Sequence, residues 1–241
     1  MTDETSRGET DLPASDELGD VRIDELSGPL QEACARAGWK SLVPVQARAI
    51  PYLLARRDVM IQSRTGSGKT GAYLLPIMQS VDVDKKAAQA LVLVPTRELA
   101  LQVSLEAKLL AGDTEFKTAV VYGGVGYGAQ LEAFRQGAQL VVGTPGRILD
   151  HLLKDTLSLD NLRILVFDEA DRMLSMGFYP DMVKIRKYVP IGKIASSMFS
   201  ATYPPQVVRL ADQFLKSPRL LSLSGDQVHI AEIEHVFYVV P

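Results

Sequence analysis

The sequence predicts an α/β fold, a mainly parallel β-sheet with helices on both faces, and three observations carry that prediction. Short β-branched runs recur along the chain, apolar on both faces, and segments of helical periodicity separate them. Polar, glycine-bearing clusters follow most of those runs directly. Strands buried on both faces and alternating with helices belong to parallel sheets. In open sheets of this kind a ligand binds beyond the carboxyl ends of the strands.

Taken in order, residues 1–20 are rich in Asp, Glu, Ser and Thr and contain no aromatic residue, which predicts an acidic, disordered tail. From Leu26 the pattern turns helical: Leu30, Ala33, Cys34 and Ala37 fall three and four apart, and Gly38 ends the run. The strand-like runs are then DVMIQ (58–62), ALVLV (90–94), TAVVY (118–122), QLVVG (139–143), RILVF (163–167), SSMF (196–199) and RLLSL (219–223). Helical stretches such as Leu99 to Leu110 and Gln130 to Gly137 separate them. No internal repeat and no low-complexity linker interrupts the pattern.

Composition bounds the function. The chain has 241 residues, 46% hydrophobic and 23% charged, enough for one domain and a tail. Its one cysteine, Cys34, excludes an internal disulfide and fits a reducing compartment. The acidic N-terminus has no apolar core of the signal-peptide kind, and no apolar run approaches the roughly 20 residues of a membrane helix. A soluble, cytoplasmic protein without a membrane partner is therefore expected. The net charge of −3 is unevenly placed: residues 1–20 hold seven acids against Arg7, a net −6, which leaves +3 on the remainder. That balance permits a nucleic-acid partner.

The first strand-end cluster is Ser63-Arg64-Thr65-Gly66-Ser67-Gly68-Lys69-Thr70. Gly66 and Gly68 allow a tight turn and a close approach of backbone N–H groups to phosphate oxygens at a helix N-terminus. Lys69 would meet the β- and γ-phosphates, and the Thr70 hydroxyl a magnesium ion. The strict pattern begins with glycine where this chain has Ser63. A second cluster, Asp168-Glu169-Ala170-Asp171, follows RILVF. Asp168 is placed to hold magnesium, largely through water, and Glu169 to orient or deprotonate an attacking water. The chemistry implied is that of an enzyme acting on a nucleoside triphosphate and its magnesium, with Lys69, Asp168 and Glu169 as the catalytic set.

With PTRELA after the second strand, Gly123-Gly124 after the third, TPGR after the fourth and SAT after the sixth, the chain resembles the first RecA-like lobe of a DEAD-box RNA helicase. The resemblance covers residues 21–241. It implies a RecA-like P-loop NTPase domain over residues 21–225, with 226–241 as a linker into a second such domain that this chain lacks. It also implies that Pro95, Thr96, Arg97, Gly123, Gly124, Thr144, Pro145, Gly146 and Arg147 grip the backbone of one RNA strand. Arginines, hydroxyls and glycine N–H groups can do so without reading sequence. Ser200 and Thr202 would bond Asp171 and couple nucleotide state to RNA. Met176-Gly177-Phe178 also matches the family, in a structural role: Gly177 ending a helix and Phe178 packing. Upstream, Gly38-Trp39 and Pro44-Val45-Gln46 resemble the family's Q motif, in which Gln46 reads adenine.

Two positions depart from that motif: Val21 stands where the family carries an aromatic that stacks on adenine, and Leu42 where it carries a proline. Stacking contributes about 1–3 kcal/mol per base, or roughly five- to 150-fold in affinity. Nucleotide binding is accordingly expected to be weak and to rest on Gln46. Trp39 is expected to be a packing anchor. His151, His229 and His235 are scattered without metal-ligand spacing. The family's second lobe brings an arginine finger worth about 10³ to 10⁵ in rate. The fragment, expected to be monomeric, should therefore bind nucleotide with little hydrolysis and no unwinding. A nucleotide-binding regulatory module without helicase activity is the alternative, and a phosphate-loop enzyme acting on DNA or small molecules a third reading.

Overall fold

A computed structural model describes residues 17–223. Seven strands form one sheet in the order β3-β4-β2-β5-β6-β1-β7, and every neighbouring pair is parallel. They are β1 (Val59–Gln62), β2 (Ala90–Leu93), β3 (Thr118–Val121), β4 (Leu140–Gly143), β5 (Ile164–Asp168), β6 (Ala195–Ser200) and β7 (Arg219–Ser222). Each coincides with a run read from the sequence. The inner strands β2, β4, β5 and β6 are buried throughout, whereas the edge strands β3 and β7 are buried only in part. Continuous apolar runs are what two-sided burial requires.

The helices are α1 (Gly28–Arg36), α2 (Pro44–Leu54), α3 (Lys69–Ser80), α4 (Arg97–Ala111), α5 (Gly128–Arg135), α6 (Pro145–Leu153), α7 (Ala170–Ser175), α8 (Tyr179–Ile185) and α9 (Pro205–Phe214). The two-residue period of the strands divides the core into two layers. Val92, Ile164 and Val166 point toward α1 to α4, packing with Leu30, Ile50, Leu74 and Val103. Leu91, Leu93, Leu165 and Phe167 point the other way, toward Ile148, Met173, Met182 and Phe214 of α6 to α9. Gly38 closes α1 at φ 71°, and Gly177 follows α7 at φ 82°, left-handed positions that suit glycine after a helix. Cys34 is a buried free thiol in the first layer.

The body begins earlier than residue 21. The Leu18 N–H donates to the Tyr52 hydroxyl at 3.0 Å, and its side chain packs on the first core layer. Glu17 pairs with Arg48 and Arg219, and Asp20 with Arg48 at 3.3 Å. Composition placed residues 17–20 in the tail because their partners lie far along the chain. Residues 1–16, His229, His235 and the proposed 226–241 linker lie outside the described residues.

Candidate nucleotide and nucleic-acid site

The loop between β1 and α3 is a tight phosphate-type turn. Gly66 and Gly68 adopt φ 78° and 91°, so both need glycine. A Cβ on Gly68 would also come within 2.7 Å of Val43 Cγ2. Ser63, at the position where glycine is usual, is anchored to β6 through its N–H (3.0 Å to the Ser200 carbonyl). Its hydroxyl donates to Ser67 Oγ at 2.7 Å and so closes the loop on itself. The buried Lys69 donates to the Ser63 carbonyl at 3.3 Å. Arg64 and Thr65 are exposed.

Asp168 ends β5 facing this loop's cleft and is only 2% exposed. Its Oδ2 accepts from the Tyr73 hydroxyl at 2.9 Å, while its Oδ1 is buried without a hydrogen-bond partner among the described residues. Burial pushes the Asp168 carboxyl above the usual range, against the pull of Lys69 and the Tyr73 hydrogen bond. Glu169 turns the chain in a left-handed conformation (φ 55°, ψ 52°) before α7. Such a turn costs a residue with a Cβ about 1–3 kcal/mol. Its carboxylate pairs with Arg172 Nη1 at 3.1 Å and receives a long contact from the Thr65 hydroxyl at 3.5 Å. Gly66, Gly68, Lys69, Thr70, Asp168 and Glu169 thus line one cleft of about 460 Å³, together with Glu106 and Gln102 of α4.

A second cleft of about 510 Å³ shares Thr65, Lys69, Glu169 and Arg172 and continues to Asp171 and Thr202. The Thr202 N–H and hydroxyl donate to Asp171 Oδ2 at 3.1 and 2.9 Å, and the Asp171 N–H donates to Ser200 Oγ at 3.2 Å. Burial pushes the Asp171 carboxyl up; the bonds from Thr202 and Ser200 outweigh it and hold it below the usual range. Asp171, Ser200 and Thr202, expected to act together, are therefore in contact.

Gln46 is buried against the phosphate loop. Its Oε1 accepts from the Val43 N–H at 3.0 Å and its Nε2 donates to the Gly68 carbonyl at 3.2 Å. Trp39 lies over Gly71, where an added Cβ would stand 2.3 Å from Trp39 Cη2 and 2.7 Å from Gln46 Nε2. This is the packing role expected of it. Val21 is partly buried against the first core layer.

Further along the same end of the sheet, Pro95, Thr96, Arg97, Gly123, Thr144, Gly146 and Arg147 line a cleft of about 530 Å³ with Met176 and Phe178. Gly124 stands beside it at φ 79°, and Pro145 is buried at the start of α6. The Thr96 hydroxyl caps α4 by accepting from the Leu99 N–H at 3.2 Å. Exposed Arg97 lies over the Tyr122 ring at 4.7 Å. Arg147 differs from the open charge its motif suggests, because its side chain is only 10% exposed. It donates to the Val125 carbonyl at 2.9 Å and stacks on Tyr127 at 4.4 Å, tying α6 to the glycine loop, and its buried Nη1 has no hydrogen-bond partner among the described residues. His151 is enclosed, its ring nitrogens 2.8 Å from Thr156 Oγ1 and 2.9 Å from Gln130 Oε1.

Sequence reasoning missed Tyr73, Glu106 and Arg172. Tyr73 follows Lys69 by one helical turn, and Arg172 follows Glu169 by three residues, so helical spacing could have flagged both. Glu106 carries no comparable signal. Among the described residues no group of histidine, cysteine or carboxylate side chains has metal-cage geometry, and no helix is long and apolar enough to cross a membrane.

Residues 43–210 match the family described as DEAD/DEAH box helicase. The chain is 43% identical over 219 residues to the ATP-dependent RNA helicase DeaD of Escherichia coli K12, covering 89% of this chain and 34% of that protein. It is 38% identical to the DEAD-box ATP-dependent RNA helicase CshA of Geobacillus kaustophilus, covering 88% of this chain and 45% of that protein. Among solved structures, a DEAD box protein from the hyperthermophile Methanococcus jannaschii superposes with a TM-score of 0.80 at 36% identity, over 85% of this chain and 56% of that one. The chain thus spans between a third and a half of the length of these two curated relatives.

Proposed function

Because the chain belongs to the DEAD/DEAH box helicase family, we propose that it is the ATP- and RNA-binding lobe of an ATP-dependent RNA helicase. The observation that carries this reading is Asp168 Oδ1, buried without a hydrogen-bond partner among the described residues, in one cleft with Lys69, Thr70 and Glu169. A buried anionic oxygen without a donor is costly unless a cation or its hydration shell meets it. The donor set, one carboxylate and one hydroxyl beside a phosphate loop, fits magnesium, which keeps most of its waters. Thr70 and Asp168 would hold it, and the bound ion would neutralise charge on the phosphate oxygens.

The chain's own residues do the rest. Gly66 and Gly68 let backbone N–H groups face the phosphates, and Lys69 adds its charge. Glu169 orients the attacking water and accepts its proton once it leaves Arg172. Gln46, which donates to the Gly68 carbonyl, reads adenine in this account through the remaining hydrogen-bonding capacity of its amide. Asp171, through Ser200 and Thr202, links the carboxylate turn to the end of β6. Arg97, Thr144 and the glycine amides hold RNA phosphates and riboses without reading bases.

In this reading the residues named form one wall of the nucleotide cleft, and the curated relatives are longer than this chain. A second lobe supplies the other wall and the arginine finger. This chain alone, a cytoplasmic monomer, binds ATP and magnesium but turns over slowly and unwinds nothing. RNA-stimulated ATPase measured on these 241 residues is expected near background, with nucleotide binding intact. Robust turnover would overturn the one-walled reading. A regulatory nucleotide-binding module is the second reading, favoured by Val21 in place of a stacking aromatic and opposed by the intact Lys69, Asp168, Glu169 and Asp171–Thr202 arrangement.

A further inference from the structure

At the amino ends of β1, β6 and β7, the opposite end of the sheet from the phosphate loop, lies a cleft of about 500 Å³. Its lining is cationic. Arg56 and Arg57 precede β1, Lys216 precedes β7 and Arg219 begins it, against the carboxylate of Asp58. Asp58 builds the cleft: its Oδ1 accepts from the Ser196 N–H at 2.8 Å and its Oδ2 from the Lys216 N–H at 2.6 Å. These bonds tie the start of β6 and the turn before β7 to the residue that precedes β1. Arg56 and Ser217 stand on the loops so joined at left-handed φ of 56° and 45°. Residues with a Cβ persist in that region only where their surroundings fix them, so the cleft is preformed. The Arg56 and Lys216 side chains are exposed at it. Like charge gathered in a concave site attracts an anion.

The chain itself brings an anion to this rim. Glu17 pairs with Arg219 at 3.6 Å, and the Leu18 N–H donates to the Tyr52 hydroxyl at 3.0 Å. Arg219 and Tyr52 both line the cleft. Residues 1–16, which precede Glu17, hold Asp3, Glu4, Glu9, Asp11 and Asp16 against Arg7, a net −4. The lining, with four cations and one carboxylate, is net +3. Sixteen residues reach at most about 50 Å when extended, and the cleft opens beside their point of attachment. Attachment gives the segment a local concentration on the order of millimolar, so exposed ion pairs that are individually weak add to a populated contact.

We propose that the acidic segment 1–16 is the ligand of this basic cleft and screens its cations from other polyanions. An RNA strand is the less suited occupant, because Arg97, Gly123 and Thr144 line their cleft at the carboxyl ends of β2, β3 and β4, the other end of the sheet. The inference stands apart from the magnesium–nucleotide reading.

The test is paramagnetic relaxation enhancement on the whole chain, with a nitroxide attached at Ser6→Cys. Cys34 is buried, and the unsubstituted chain controls for its labelling. At low salt the label should broaden the amide signals of Gly192, Ser217 and Arg219 and spare Gly123 and Gly146. Neutralising the segment (Asp3→Asn, Glu4→Gln, Glu9→Gln, Asp11→Asn, Asp16→Asn) or the cleft (Arg56→Gln with Lys216→Gln) should each abolish the broadening. Salt at about 1 M, where the Debye length is about 3 Å, should do the same. The Lys216 bond to Asp58 uses the backbone, so the cleft variant should keep the amide positions of β1 and β6. If they move, the segment variant alone decides. Broadening spread evenly over both ends of the sheet, or broadening that survives neutralisation of the segment, overturns the proposal. Oligouridine should leave the wild-type cleft amides unmoved. Equal shifts in the wild-type and segment-neutralised chains would make the cleft an RNA surface and overturn it as well.

Discussion

The Tyr73 hydroxyl donates to Asp168 Oδ2 at 2.9 Å across the α3–β5 contact and fixes which oxygen of the carboxylate stays open. The tyrosine is fully enclosed, its ring edge-on to Phe199 at 5.4 Å, so the bond forms away from water. Burial first, and the Asp168 charge second, push the Tyr73 hydroxyl well above its usual range, so it remains a donor.

Tyr73→Phe keeps the ring and removes the donor. Leaving a buried carboxylate oxygen unpaired costs about 1–3 kcal/mol, so urea denaturation should show a loss of that size. Magnesium-dependent nucleotide binding should also weaken, because Asp168 can then rotate. Unchanged stability and binding would mean that the bond is incidental.

Thr202→Val tests the link between the carboxylate turn and β6. Asp171 is held below the usual range in the fold, so the stability it contributes is present above the unfolded carboxylate pKa and lost as pH falls through the lower, folded value. Removing the hydroxyl bond, worth about 1 kcal/mol before allowance for partial exposure, should destabilise the chain at pH 7. The gap to wild type should close as the pH is lowered below about 4, near the ordinary carboxylate pKa. A gap constant with pH would place its cause elsewhere.

Arg97→Ala and Arg147→Ala should separate two roles that the motifs present as one. Arg97 is exposed over Tyr122, so its loss should weaken binding of single-stranded RNA evenly across sequences and lower the salt slope by about one, with stability unchanged. Arg147 is enclosed, and its loss should cost about 1.5–3 kcal/mol of stability through the bond to the Val125 carbonyl and the Tyr127 stack. Denaturation curves paired with salt-dependent RNA binding distinguish them. A sequence-dependent change for Arg97→Ala would mean that it reads bases.

Gly71→Ala inverts the usual sign of a helix substitution. Alanine inside a helix normally gains about 1 kcal/mol over glycine. Here the added carbon would collide with Trp39 Cη2 and Gln46 Nε2. The variant should be less stable than wild type and should lose preference for ATP over GTP in competition binding, since Gln46 is displaced. A stabilised variant with intact preference would show that the Trp39–Gln46 contact yields easily.

Much of this was legible in the chain. All seven strands could be read because each is a short apolar run, and the site loops because glycine, lysine and carboxylates stand directly at strand ends. The Asp171–Thr202 contact was anticipated from the family's SAT element alone. Glu106 and Tyr73 were not, since both sit in helix interiors and acquire meaning only when α3 and α4 meet beside β5. Arg147 looked like an open charge because sequence spacing cannot show that Tyr127 and Val125 enclose it. Residues 17–20 looked like tail because Arg48, Tyr52 and Arg219, which hold them, are distant in sequence.

The central claim is that Asp168 and the phosphate loop form one magnesium–nucleotide seat. Equilibrium binding of a fluorescent ATP analogue to this chain, with magnesium and with EDTA, tests it most directly when wild type, Lys69→Ala and Asp168→Asn are compared. Magnesium should tighten wild-type binding, Lys69→Ala should abolish binding, and Asp168→Asn should bind equally with and without the ion. Undiminished binding by Lys69→Ala, or full magnesium enhancement in Asp168→Asn, would contradict the account.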